Sequence, residues 1–350
     1  GTAPASATAN QITFTNTTGI LNTTASFTLA TVRGITLTGS GTIKTESGTT
    51  LDYTGKITGA GGLTKSGTGT LTLNSNLNDY TGLTTISQGT LAITAANALG
   101  SSSTGTTISN GTSTDPQATL SISGGVTVAE PITIRGTGFG GTAGAIRFTA
   151  NNNTYSGAIT LAEDSTVISS SGQQTISGAI SGGSKALTVT YTDNLTLSGG
   201  ATSLSSLSVT SSTASKTLTI SNNISSSGDQ TYTDPGGIVF SGGRTLTSSS
   251  GTVYTTSAAS GNNNLTITGN ARIGGAITGV INFSVSGTSN LEANVTSTGT
   301  QVYTGNVTLS NSDRTLSAGA GTSTVTANGT ISGAYSLTIT GNAVLGNELT

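Results

Sequence analysis

Leu, Ile and Val recur at every second position in short runs along the chain, as in Leu71-Thr72-Leu73, Leu187-Thr188-Val189-Thr190, Leu218-Thr219-Ile220 and Leu265-Thr266-Ile267. A two-residue period places the aliphatic side chains on one face of an extended segment and the threonine hydroxyls on the other, the pattern of a half-buried β-strand. Gly, Ser and Asn punctuate the runs and supply the conformations that tight turns need. With 51 Gly in 350 residues, and Ser, Thr and Asn crowding the rest, nearly every turn of a helix would be penalised, so almost no helix is expected.

The strands repeat on a longer scale. Tyr80-Thr81-Gly82, Tyr155-Ser156-Gly157, Tyr232-Thr233-Asp234 and Tyr303-Thr304-Gly305 follow one another at steps of 75, 77 and 71 residues. Leu265-Thr266-Ile267-Thr268-Gly269-Asn270-Ala271 returns letter for letter as Leu337 to Ala343, so Gly269 and Asn270 correspond to Gly341 and Asn342 at an offset of 72. Gln230 and Gln301 precede the paired tyrosines, and Arg244-Thr245-Leu246 corresponds to Arg314-Thr315-Leu316, which makes 226–271 and 297–343 tandem copies. Ile followed by Thr or Ser, then Gly, with an apolar residue six or seven places on, marks successive strands at Ile57, Ile180, Ile277 and Ile331. Short strands in a repeat near 72 predict three coils of about 24 residues each, stacked as an all-β, right-handed parallel β-helix, a β-solenoid, over one continuous region 1–350. An array of β-sandwiches is the competing architecture. Its core calls for large residues, whereas Trp is 0 and aromatics are 4% here, and a solenoid stacks small aliphatics instead.

Composition then removes most chemistry. Cys and His are both 0, which excludes disulfides, thiolate and imidazole metal sites and Ser-His-Asp triads. Net charge is -2 without a cluster of Lys or Arg, so neither nucleic-acid binding nor attachment to a membrane surface has an electrostatic driving force. No apolar run reaches the length of a membrane-spanning helix. Met is 0, so the chain is expected to be a processed or excised piece of a longer product, and Gly1 to Asn10 shows no charged n-region or apolar core of a secretion signal.

One segment carries a resemblance. Gly59-Ala60-Gly61-Gly62-Leu63-Thr64-Lys65-Ser66-Gly67-Thr68-Gly69-Thr70-Leu71-Thr72-Leu73, then Asn78-Asp79-Tyr80-Thr81-Gly82 and Gln88-Gly89-Thr90-Leu91, resembles the autotransporter-associated β-strand repeat. That repeat is found in passenger regions of Gram-negative surface proteins, and 59–91 is its clearest copy; Asn153 to Leu161 repeats the central part. Where the usual motif reads Asn-Thr-Tyr, this chain has Asn78-Asp79-Tyr80. The remainder is similar to the Thr/Gly-rich coils of haemagglutinin-like adhesins. The resemblance implies a right-handed β-helix, secreted across the outer membrane to the bacterial surface. Within the motif, Gly69 and Gly89 are expected at positive φ, Leu63, Leu71, Leu73 and Leu91 point inward, and Lys65 is expected at a solvated corner.

The reading that follows is a non-enzymatic extracellular scaffold, structural or adhesive, a rigid stalk or fibre segment with no cofactor or metal. The alternative is a β-helix that binds or cleaves polysaccharide, and behind it ice binding. Cleavage needs paired carboxylates. Asp229 and Asp234 flank Tyr232, but Asp234-Pro235-Gly236 has turn chemistry, and Glu163-Asp164 is expected in a loop. Asn151-Asn152-Asn153 and Asn262-Asn263-Asn264 read as turn ladders. Tyr80, Tyr155, Tyr232 and Tyr303 are expected to be packing residues of the structural repeat, three coils apart and too distant for a sugar-stacking track. Thr-x-Thr pairs at Thr36, Thr70, Thr266 and Thr338 are too irregular for an ice face. The expected partners are further coils of the same polypeptide, or copies stacked head to tail on a C-terminal edge where Val344-Leu345-Gly346 opens a new repeat; host or cell-surface glycans and other surface proteins are further candidates.

Overall fold

The computed structural model describes residues 8–109 and 118–350. Contacts divide the chain into two compact units, 1–180 and 181–350. Each is a parallel β-helix, and apart from one short 3-10 turn at Phe139–Gly141 the described elements are all strands.

Each unit is built from three ladders of parallel strands. In the first unit, face 1 stacks Ile20–Thr23, Gly41–Thr45, Leu63–Ser66, Thr84–Ile86, Thr106–Ile108, Ile132–Gly136 and the start of Ile159–Ser169. Face 2 stacks Phe27–Leu29, Thr50–Tyr53, Thr70–Leu73, Gly89–Ile93, Ala118–Ile122, Ile146–Phe148 and the end of Ile159–Ser169. Face 3 consists of Thr8–Phe14, Arg33–Leu37 and Ile57–Thr58, is interrupted, and resumes with Thr127–Val128, Thr154–Tyr155 and Gln174–Ile176. The second unit follows the same plan, with Leu265–Ile273 serving face 1 at its start and face 2 at its end.

Parallel in-register pairing repeats each inward position about 4.8 Å away in the next coil, so like side chains stack on like. On face 2 of the first unit Leu51, Leu71, Leu91, Leu120, Ile146 and Val167 form one such column. On face 3 of the second unit Leu195, Leu218, Ile238, Ala259, Ile277, Val295 and Leu316 form another. All are buried. Each large aliphatic so enclosed contributes roughly 1.5–3 kcal/mol, which lets a chain with so few aromatics build a core.

Coils average about 22 residues rather than 24. The step is 18 from Leu265 to Phe283 and again from Phe283 to Gln301, 24 from Gln301 to Val325, and 27 from Ile132 to Ile159. Because corners absorb insertions, the exact heptapeptide repeat does not span whole coils. Leu265 lies on face 1, paired with Arg244 and Phe283, whereas Leu337 lies on face 3, paired with Arg314. Strand-Gly-Asn-strand is a portable corner, used at two different vertices of the coil.

Candidate functional site

The repeat tyrosines are all buried, with side-chain hydrogen bonds to the protein. Tyr80 Oη pairs with Thr84 Oγ1 at 2.6 Å, and Tyr155 Oη donates to the Glu130 carbonyl at 2.7 Å. Tyr232 and Tyr303 donate to Gln230 and Gln301. Burial pushes each phenol above its ordinary pKa. Tyr155 is on face 3, and Tyr80 is held beside the face 3 strand Ile57–Thr58 by Asp79 N–H to Ile57 O and Thr81 N–H to Gly59 O, while Tyr232 is on face 2 and Tyr303 on face 1. They belong to three faces and none presents its ring to solvent.

Gly269 and Gly341 both take positive φ, 113° and 106°. Asn270 Oδ1 accepts from the N–H and hydroxyl of Thr288, each at 3.0 Å, and Asn342 Nδ2 donates to Gly321 O at 2.7 Å. The asparagine runs do the same work. Asn151 has φ 59°, Asn152 Oδ1 accepts Gln173 N–H at 3.0 Å, and buried Asn153 accepts Gly125 and Val126 N–H. Asn264 Oδ1 accepts from the Asn282 backbone at 3.2 Å, and Asn282 Oδ1 accepts from Thr300 N–H at 2.8 Å. Asn223 to Thr245, Asn294 to Thr315 and Asn306 to Thr330 repeat this bond, in which a side-chain oxygen replaces a ladder carbonyl where the corner breaks register.

Two expectations in the passenger-like motif are corrected. Lys65 is not solvated: it alternates inward with Leu63, is fully buried, and donates to Ser66 O at 2.9 Å, Gly67 O at 2.7 Å and Gln88 O at 3.0 Å. Burial lowers its pKa to about 7. The Leu63-Thr64-Lys65 alternation carries that signal, because the period-two rule applies to lysine as well as leucine. Gly67 and Gly89 take positive φ, but Gly69 does not; it is glycine because a Cβ there would lie 2.3 Å from Glu46 O.

The acids are engaged structurally. Asp234 is buried, with Oδ2 accepting Leu218 N–H at 2.5 Å and Oδ1 accepting Gly236 N–H at 3.0 Å. Asp229 Oδ1 accepts Thr252 N–H at 2.8 Å. Glu163 and Asp164 lie not in a loop but within strand Ile159–Ser169, exposed where the register shifts between faces, and Glu163 pairs with Arg135 at 3.2 Å. Among the described residues no group of three or more Asp or Glu is placed to hold a metal ion.

Outward positions make two surfaces. On face 1 of the first unit Thr42, Thr64, Thr85, Thr107, Thr133 and Thr160 stand in one unbroken column. The Thr-x-Thr pairs, by contrast, scatter: Thr36 is on face 3 and Thr70 on face 2 of the first unit, Thr266 on face 1 and Thr338 on face 3 of the second. On face 2 of the second unit the Arg272 guanidinium lies 4.2 Å from the centre of the Tyr254 ring and donates to Glu292 at 2.7 Å. A groove of about 240 Å³ runs beside Asn270, Arg272, Thr288 and Asn290. A third feature, without a sequence signal strong enough to single it out, is a recess in the first unit where face 3 is interrupted; Glu130 forms part of its wall.

Residues 63–93 match the family model of the passenger-associated-transport-repeat. In the fold this is the coil holding Leu63–Ser66 and Thr70–Leu73 and the strands Thr84–Ile86 and Gly89–Ile93 that stack on it, so the repeat is a unit of coil stacking containing Lys65 and Tyr80. No curated protein and no solved structure matches the chain. Among the described residues no helix is long and apolar enough to cross a membrane.

Proposed function

We propose that this chain is part of the cell-surface passenger of a Gram-negative secreted protein, acting as a non-catalytic scaffold that is structural or adhesive. The match of residues 63–93 to a passenger repeat carries the reading, and the β-helix on either side of that segment fits it. Asp229, Asp234 and Glu163 are each occupied by a backbone N–H or an arginine, which supports a role without acid catalysis. The partners that suit such a scaffold are coils of its own kind, other surface proteins, or glycans.

The test is the location of the native protein: an impermeant label applied to intact cells should modify it, and labelling only after lysis would overturn the proposal. Incubated with acidic and neutral polysaccharides, the purified chain should release no new reducing ends. Release abolished by a single substitution at Asp229, Asp234, Glu163 or Asp164 would establish the enzymatic alternative.

Glycan adhesion within this role is favoured by the Tyr254–Arg272–Glu292 cluster, where an aromatic ring, a cation and a carboxylate adjoin a polar groove. Tyr254→Ala should abolish retention on a glycan array if that surface is used.

A further inference from the structure

Face 3 of the first unit is broken between Ile57–Thr58 and Thr127–Val128. In the gap the chain turns through 95–100 instead of extending, with Ala98 N–H bonded to Ala95 O and Gly100 N–H to Asn97 O. The result is a recess of about 320 Å³, walled by Asn78, Asp79, Asn97, Ser101, Thr127 and Glu130.

Glu130 is 4% exposed, placed inward by the alternation that begins at Val128. Its carboxylate receives one long contact, Thr106 Oγ1 to Oε1 at 3.4 Å, and among the described residues no other protein donor reaches it. A buried carboxylate has several acceptor sites, and leaving them without donors is costly. Several side-chain donors around the recess are engaged within its wall. Asn78 Nδ2 donates to Ala98 O, Asn97 Nδ2 to Asn76 O, and Lys56 Nζ pairs with Asp79 at 2.6 Å. Ser101 donates its hydroxyl to Ser103. What sets the wall apart is a buried carboxylate with no cation beside it among the described residues, since the Lys56 ammonium at the rim is taken by Asp79; the Asn97 side-chain carbonyl and the hydroxyl oxygens add further acceptors. A neutral sugar would leave the Glu130 charge uncompensated, whereas an ammonium group brings three donors and a positive charge.

We propose that this recess binds a primary ammonium group, which pairs with the Glu130 carboxylate. The group would come from a lysine side chain of a partner protein or from an amino sugar. The proposal is independent of the scaffold reading, since it concerns one recess and would hold whatever the chain's location. Among the described residues the charged and titratable groups near Glu130 are the Tyr80 and Tyr155 phenols, both held neutral by burial, and the Lys56–Asp79 ion pair at the rim. Burial raises the Glu130 pKa to about 7, so ligand affinity should rise as pH passes through that value.

The experiment is calorimetric titration of the full chain with Nα-acetyl-lysine methylamide, glucosamine, N-acetylglucosamine and calcium chloride, each at pH 5.5 and pH 8. In parallel, the chain is labelled with ¹³C at its five glutamate carboxyls. Saturable binding by the lysine derivative or by glucosamine supports the proposal, and the arm that binds identifies the source. For the lysine derivative, whose amine is protonated at both values, affinity should be roughly thirtyfold higher at pH 8, where the carboxylate is ionised. Binding should be lost in Glu130→Gln, with its circular dichroism unchanged, and the ligand should lower the titration midpoint of the Glu130 resonance. Binding of N-acetylglucosamine or of calcium in place of the amines would overturn it. So would absence of binding in every arm, or amine binding that survives Glu130→Gln.

Discussion

The phenol of Tyr232 donates to the side-chain carbonyl of Gln230, two residues earlier on the same strand, at 2.8 Å. Tyr303 and Gln301 repeat the bond at 3.0 Å on a different face. A spacing of two puts both side chains inside, where the glutamine satisfies the phenol and anchors itself by donating to Thr247 O in one copy and to Ser317 O in the other. Gln-x-Tyr is therefore a self-satisfying polar pair that can be placed in an otherwise aliphatic interior. Gln230→Leu should cost about 1–3 kcal/mol by leaving the Tyr232 hydroxyl and a carbonyl without partners, and adding Tyr232→Phe should recover part of it. A denaturant-unfolding double-mutant cycle measures this; simple additivity would show that the pair is not coupled.

Lys65 gives the stability a rising pH dependence. Its amine is lowered to about 7 in the fold, whereas an unfolded lysine titrates at about 10.4. Between these values the unfolded chain binds the extra proton, so this contribution is complete above the upper value and is lost as pH falls toward about 7. Relative to Lys65→Met, the wild-type protein should gain stability between pH 7 and pH 9. Parallel stability curves for the two proteins would rule out a depressed lysine.

Glu130 has the opposite sign. Burial raises it to about 7 from an ordinary 4.5, so the native state holds its proton over a range in which the unfolded chain has released it. Stability from this group is present below about 4.5 and lost as pH rises to about 7. Glu130→Gln should melt higher than wild type at pH 8 without ligand, and the difference should shrink at pH 4.5. Thermal scans at the two values decide it.

Asn282 links two successive coils by accepting from the N–H and hydroxyl of Thr300. Asn282→Ala should cost about 0.5–1.5 kcal/mol and speed hydrogen exchange at the Thr300 amide, while Asn282→Asp retains the acceptor and should protect that amide. Unchanged exchange in the alanine variant would mean that the backbone holds the corner unaided.

Gly48 and Gly67 share φ 72°, but a Cβ at Gly48 would meet nothing within 4 Å and one at Gly67 would lie 2.2 Å from Thr45 O. Gly48→Ala should cost about 1 kcal/mol, the penalty of left-handed backbone alone. Gly67→Ala should cost clearly more, because the carbonyl it strikes belongs to the coil below. Equal losses in unfolding experiments would show that coil spacing yields to the methyl group.

The local alternation of Leu, Ile and Val with Thr, the turn residues between runs and the near absence of helix-forming stretches determined by themselves that the chain forms short strands stacked as a β-helix. The strand periodicity also carried the inward position of Lys65, for whoever applies it to a charged residue. What the one-dimensional record does not contain is which vertex of the coil a segment reaches, since that depends on the summed lengths of all the corners between. The identical heptapeptides at Leu265 and Leu337 accordingly sit on different faces, and evenly stepped tyrosines are dispersed over three. The six-threonine column on face 1 arises in the same way, from residues with no fixed spacing that pairing brings into register. The Glu130 recess exists only because a turn at 95–100 displaces one strand of face 3, which leaves a carboxylate that the two-residue pattern sends inward without the donors a complete ladder of neighbours would bring.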